Sequence, residues 1–110
     1  MPRRLQEPSS TFGRRLQQAR QAIGLSQRDL GIRAELDPFV ASTRINRYER
    51  GIHEPDAATA KKLAKVLDVP LAYFYADNER LARMIKMFSG LSVAEQEKLL
   101  KNIESRGETS

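Results

Sequence analysis

Residues Ser42 to Gly51 read STRINRYERG. The stretch sets Arg44, Arg47 and Arg50 among Ser42, Thr43 and Asn46, and no acid stands between Asp37 and Glu49. On a helical wheel Pro38, Ala41, Ile45 and Tyr48 share one face. The opposite face carries Phe39, Val40, Ser42, Thr43, Asn46, Arg47 and Arg50, with Arg44 at the flank. Hydroxyls, an amide and guanidiniums are groups that read base edges in a major groove, and an α-helix fits that groove. Phe39 and Val40 are apolar groups that can meet thymine methyls. On this pattern alone, capping and solvation by Ser, Thr and Asn explain the face equally well.

The chain has 110 residues, enough for one domain with short extensions, and a net charge of +5. Residues 1–55 hold ten Arg, no Lys and six acids, a net of +4; residues 56–110 hold nine Lys or Arg and eight acids, a net of +1. The excess positive charge is therefore guanidinium in the first half, which favours a polyanionic partner. With no cysteine and one histidine, neither a disulfide framework nor a zinc site is expected. His53 is read as a loop residue near phosphate. No apolar run approaches the ~20 residues of a membrane span, and the first ten residues lack the apolar core of a secretory signal. A soluble intracellular protein is the expectation. No phosphate loop, activated nucleophile or carboxylate pair is present, so neither an enzyme nor a cofactor is expected.

The elements that must position the donor-rich face are all helical. Residues 1–10 read as a disordered arm. A helix starts near Ser10 or Thr11, with Phe12, Leu16, Ala19 and Ile23 on one face and Gly24 as its stop. Ser26 caps a second helix through the Asp29 amide, with Leu30 and Ala34 inward, Ile32 unassigned, and Gly31 marking close approach of another helix. Asp37-Pro38 reads as a further start and Gly51 as a stop. Asp56 caps a helix with Ala60, Leu63, Ala64 and Leu67 inward. Pro70 opens the short PLAYFYA. Asp77 or Asn78 begins a helix with Leu81, Met84, Ile85 and Phe88 on one face. Ser92 and Glu95 form a capping box before a last helix with Gln96, Leu99, Leu100 and Ile103. The tail at 106–110 reads as loose.

This order of pieces resembles the phage-repressor-like, or XRE-type, helix-turn-helix regulators. The resemblance spans Phe12 to Tyr75 and rests on RRLQQARQAIGLSQRDL, INRYERG and EPDAATAKKLAKVLDVPLAYFY, with Arg20, LSQ at 25–27, ERG at 49–51 and Pro55 as its most specific marks. It implies an all-α, five-helix DNA-binding domain over residues 11–76, whose third helix lies in the major groove. The two helices of residues 77–105 follow as a dimerisation or partner segment. Arg20 matches the position that pairs with the acid at Glu49, a structural ion pair. Gln27 is expected to contact phosphate or brace the third helix, and the backbone of 51–53 to approach phosphate.

One departure from the family stands out. The gap from SQ to the acid of ERG is about four residues longer here, one helical turn. Either the third helix starts a turn early at Asp37-Pro38, which pushes Phe39 and Val40 toward the groove, or the connection before it is longer. Thr43 and Arg47 are the favoured base readers in both cases, with Ser42, Arg44 and Asn46 behind them. Arg14, Gln27, Arg50 and His53 are the phosphate candidates, joined by Arg15 and by Arg3 and Arg4 of the arm. Tyr73, Phe74 and Tyr75 read as core rather than base-stacking groups. Met84, Met87 and Phe88, with Leu81 and Ile85, fit a core and a dimer surface equally.

The expected function is that of a sequence-specific regulator of double-stranded DNA, a repressor binding a palindromic operator as a homodimer. The alternative is an antitoxin-like module whose C-terminal helices hold a partner protein.

Overall fold

The computed structural model describes residues 10–109, with side chains described to residue 107. The predicted arm, with Arg3 and Arg4, lies outside this range apart from Ser10. Among the described residues there are six α-helices, one 3₁₀ helix and no strand.

Helix α1 spans Thr11–Ala22, and the Ser10 side chain accepts the Gly13 amide at 2.9 Å. This bond satisfies one of the free donors of the first turn. Phe12, Leu16 and Ala19 are buried as the spacing predicts, whereas Ile23 at the C-cap is half exposed. Helix α2, Gln27–Arg33, is capped by Ser26 through the Asp29 amide at 3.0 Å. Leu30 and Ala34 turn inward and Ile32 turns out. A Cβ on Gly31 would come within 2.7 Å of the Ala41 Cβ. Bare backbone there lets α2 and α3 cross closely, which is why a poor helix former sits inside a helix.

Helix α3 spans Ala41–Glu49 and has Val40 as its N-cap. Asp37-Pro38 does not start the helix. The Asp37 carboxylate accepts the Phe39 amide at 2.9 Å, and its carbonyl accepts the Val40 amide at 3.0 Å. The side chain thereby folds the chain into a tight turn, and Pro38 is exposed rather than part of the buried face. The additional turn of sequence thus lies in the connection, the second of the two alternatives above.

Helix α4, Ala57–Leu67, is capped by Asp56 through the Thr59 amide at 2.8 Å. That hydrogen bond, the largest influence on the group, holds the Asp56 carboxyl below its ordinary 3.8. Ala60, Leu63, Ala64 and Leu67 face the core as predicted. The PLAYFYA segment forms a 3₁₀ helix, Leu71–Tyr75, that closes the bundle. Phe74 is fully buried with its ring 4.8 Å from that of Phe12, and Tyr73 is buried beside it. Tyr75 is half exposed but packs on Phe12 at 5.6 Å. These rings hold the bundle closed.

Two helices project beyond this head. Helix α5, Glu79–Ser89, is capped by Asn78 through the Leu81 amide at 2.8 Å. Helix α6, Val93–Thr109, opens with the expected capping box: Ser92 accepts the Glu95 amide at 3.1 Å, and Glu95 accepts the Ser92 amide at 2.9 Å. The predicted loose tail at 106–110 is corrected here, since the helix continues through Thr109. Gln96 donates to the Phe88 carbonyl at 2.9 Å and ties α6 to α5. Of α5 only Ala82 is buried, with Ile85 packed against the core; Leu81, Met84 and Met87 face outward. The radius of gyration of 16.3 Å exceeds the ~13 Å of a compact chain of about this length. The difference is the protruding α5–α6 arm.

Candidate nucleic-acid interface

Helix α3 is held from inside. Ala41, Ile45, Tyr48 and Glu49 are buried, and Ser42, Thr43, Arg44, Arg47 and Arg50 are exposed, with Asn46 half-buried. The donor-rich face inferred from the wheel is therefore the outer face of the helix. Thr43, Arg44 and Arg47 line an open groove of about 610 Å³ with Val40, Tyr48, His53 and Glu54. Arg44 leans to the flank, donating Nη2 to the Tyr48 hydroxyl at 3.0 Å. Of the two guanidiniums within the helix, Arg47 lies nearer than Arg44 to the centre of the exposed face on the wheel.

A single carboxylate fixes this helix to its neighbours. Glu49 is 1% exposed. Its Oε2 accepts Arg20 Nε at 2.6 Å and its Oε1 accepts Arg20 Nη2 at 3.1 Å, a two-point charge-assisted pair. Gln27 donates Nε2 to the same Oε1 at 3.0 Å, and Arg20 donates Nη1 to the Leu25 carbonyl at 2.9 Å. One buried carboxylate thus joins α1, α2 and α3. A Cβ on Gly13 would strike the Glu49 carbonyl oxygen, so that glycine lets α1 close on the end of α3. The Arg20–Glu49 pair is where the sequence places it. The Gln27 bond shows the bracing half of its expected role. The Gly13 contact is not anticipated from the sequence, although a glycine early in a strongly periodic helix is a signal for it.

The turn after α3 behaves differently from expectation. The amides of Gly51, Ile52 and His53 donate back to the carbonyls of Tyr48 and Arg47, at 3.2, 3.0 and 3.4 Å. Backbone donors in that turn already have acceptors inside the protein. Any phosphate contact there must come from side chains, and His53 is exposed at the groove edge. No cluster of three or more potential metal ligands occurs among the described residues.

The arginines of α1 also part company. Arg15, a phosphate candidate by sequence, is fully buried. Its Nε donates to the Ala76 carbonyl at 2.8 Å, and its Nη1 donates to Gln18 at 3.0 Å and to Glu79 at 2.7 Å. Its guanidinium lies 5.9 Å from the Tyr73 ring centre. Arg15 therefore joins α1 to the first turn of α5 and has no part in the groove. Arg14 is half-buried, its Nε is enclosed without a partner, and it is absent from the groove lining. The Arg15 hydrogen bond chiefly, with Arg14 contributing, holds the Glu79 carboxyl below its ordinary value. Arg15 belongs to the joint between head and arm, and Arg14 stands close enough to act on the Glu79 charge. Periodicity marks which face of α1 is inward, but it does not reveal that a guanidinium can be the group buried there.

Comparison with known proteins agrees with this geometry. A helix-turn-helix family model, HTH_3, matches residues 16–74. A protein of Rhodospirillum rubrum described as an uncharacterized transcriptional regulator in the ATPase CF(0) region is 38% identical over 68 residues, 62% of this chain. The match spans only 59% of that relative's length. The crystal structure of the transcriptional regulator BswR superposes with a TM-score of 0.79 at 42% identity, covering 84% of this chain and 92% of that one. That span is longer than the family match. The chain belongs to the XRE-type helix-turn-helix family of transcriptional regulators, which bind DNA and are not enzymes.

Proposed function

We propose that the protein is a cytoplasmic repressor that binds a palindromic operator as a homodimer through the outer face of α3. The observation that carries this reading is the exposure of Thr43 and Arg47 on a helix whose opposite face is anchored in the core. Arg47 has the two-point geometry for guanine, and Thr43, Ser42, Asn46 and Arg44 read the neighbouring positions. Arg50 and His53 hold flanking phosphates through their side chains, and Gln27 braces the reading helix. Arg14 of α1 is a further phosphate ligand.

The arm supplies the second copy. Leu81, Met84, Met87, Val93, Leu100 and Ile103 are exposed apolar residues concentrated on α5 and α6, more than a solvated helix pair needs. A groove of about 440 Å³ runs between Met84, Met87, Phe88, Leu91 and Leu99. A matching arm fills such a groove by two-fold symmetry. Two heads then span half-sites about one helical turn apart, ~34 Å.

Selecting bound sequences from a random duplex pool tests the reading. An inverted repeat is expected, and Arg47→Ala should cost about 1–3 kcal/mol and relax one base position in each half. An unchanged binding profile for that variant refutes the assignment of Arg47. Light scattering of the free protein addresses the arm: a monomer that captures a different chain through α5–α6 would favour the antitoxin-like alternative.

A further inference from the structure

Phe39 is 97% exposed, the most exposed of the large apolar side chains among the described residues. None of the ring contacts among the described residues involves it. Its backbone, by contrast, is well fixed. Asp37 accepts the amides of both Phe39 and Val40, and the proline ring at position 38 restricts the turn further. The turn runs straight into α3, because the Val40 carbonyl accepts the Arg44 amide at 2.8 Å.

Residues 37–40 thus form a four-residue turn, closed by the Val40 amide on the Asp37 carbonyl, that delivers the chain directly to the N-cap of α3. Phe39 stands one residue ahead of the N-cap Val40, which lines the groove with Thr43, Arg44 and Arg47. The added residues of the connection therefore set one exposed apolar ring at the N-terminal end of α3. The apolar feature of base edges in the major groove is the thymine C5-methyl.

We propose that Phe39 is a specificity-determining residue whose ring packs on the C5-methyl of one thymine in each half-site, beside the base read by Thr43. The assignment rests on the reading of α3 as the base-reading helix. It adds a methyl-sensing position to hydrogen-bonding readers, and the ring's rigid mounting limits the loss of freedom on binding.

Replacing thymine by uracil removes that methyl and leaves every hydrogen-bonding group in place. The probe is the duplex selected by the wild-type protein, with each thymine of one half-site changed to uracil in turn. At one position uracil should weaken wild-type binding about fourfold, the worth of one buried methyl. Phe39→Ala should bind the thymine duplex more weakly and be indifferent to uracil at that position. Its melting temperature should match the wild type, since the ring touches no core.

Equal uracil effects in both proteins overturn the proposal, as does uracil insensitivity at every position. A loss on Phe39→Ala that ignores base identity also overturns it, assigning the ring to sugars. So does a change in dimer mass without a change in DNA preference. If the wild type selects no sequence, the reading of α3 falls and takes Phe39 with it. A clear consensus that is insensitive to uracil removes Phe39 alone.

Discussion

The head and the arm are built from similarly patterned helices, yet they use their apolar faces in opposite ways. Residues 12–76 contain all the buried apolar side chains but one, and α5 contributes only Ala82. Helix α5 nonetheless separates its apolar and polar residues more sharply than α1, α3 and α4 do. An amphipathic pattern specifies that a face will be covered; it does not specify whether the same chain supplies the cover. In the head, Phe12, Leu16, Leu63 and Phe74 meet one another. In the arm, Met84 and Met87 stay largely exposed along a groove that their own chain leaves open.

That contrast can be broken most severely from the head. Phe74→Ala should lower unfolding free energy by about 3–5 kcal/mol, read by urea denaturation, with DNA binding lost alongside it. The equivalent truncation on the arm, Met87→Ala, should leave the melt of the isolated subunit within about 0.5 kcal/mol. A large destabilisation of a monomer by Met87→Ala would show that the arm is covered by its own chain after all.

Glu49→Gln tests the joining carboxylate. Leaving Arg20 without its charge partner should cost roughly 3–5 kcal/mol, and affinity should fall even though Glu49 touches no base. A variant of normal stability and normal affinity would reduce the Arg20–Glu49–Gln27 junction to decoration. On the arm, Met87→Glu should weaken self-association by roughly 2 kcal/mol or more, from lost methionine burial alone. Sedimentation should then show monomers whose heads still melt as in the wild type.

The smallest effect is expected at the joint. Glu79 has a carboxyl held low by Arg15, so its contribution is fully present above the ordinary 4.5 and is lost as pH falls through the lowered value. Glu79→Gln should remove that pH dependence and widen the range of half-site spacings the dimer accepts, with little change in melting temperature, because Glu79 is largely exposed. Retained dimerisation with an unchanged spacing preference would separate the joint from operator geometry.

Much of the head is legible in the amino-acid sequence. The caps at Ser10, Ser26, Asp56 and Asn78 are local chemistry, as is the Ser92–Glu95 box, and the inward faces follow from spacing. The exposed set Thr43, Arg44 and Arg47 follows from the buried set Ala41, Ile45 and Tyr48, since one helix cannot turn both inward. What the residues alone do not reveal is non-local or ambiguous in type. Arg15 looks like a phosphate ligand because arginine usually stays in water; its acceptors, the Ala76 carbonyl and Glu79, lie 61 and 64 residues away. Asp37-Pro38 carries the composition of a helix start and of a tight turn alike, and the Asp37 bonds to the Phe39 and Val40 amides show which of them forms. The amides of 51–53 look free for phosphate because their internal acceptors depend on how the chain folds back.

The buried guanidinium of Arg15 has one more consequence. It grips α1, the carbonyl of Ala76 and the first turn of α5 together, so the direction in which the two terminal helices leave the body is set within each subunit. In the proposed homodimer each chain is therefore one leg of a calliper, and the distance it measures is written in covalent sequence and not in the duplex it closes upon.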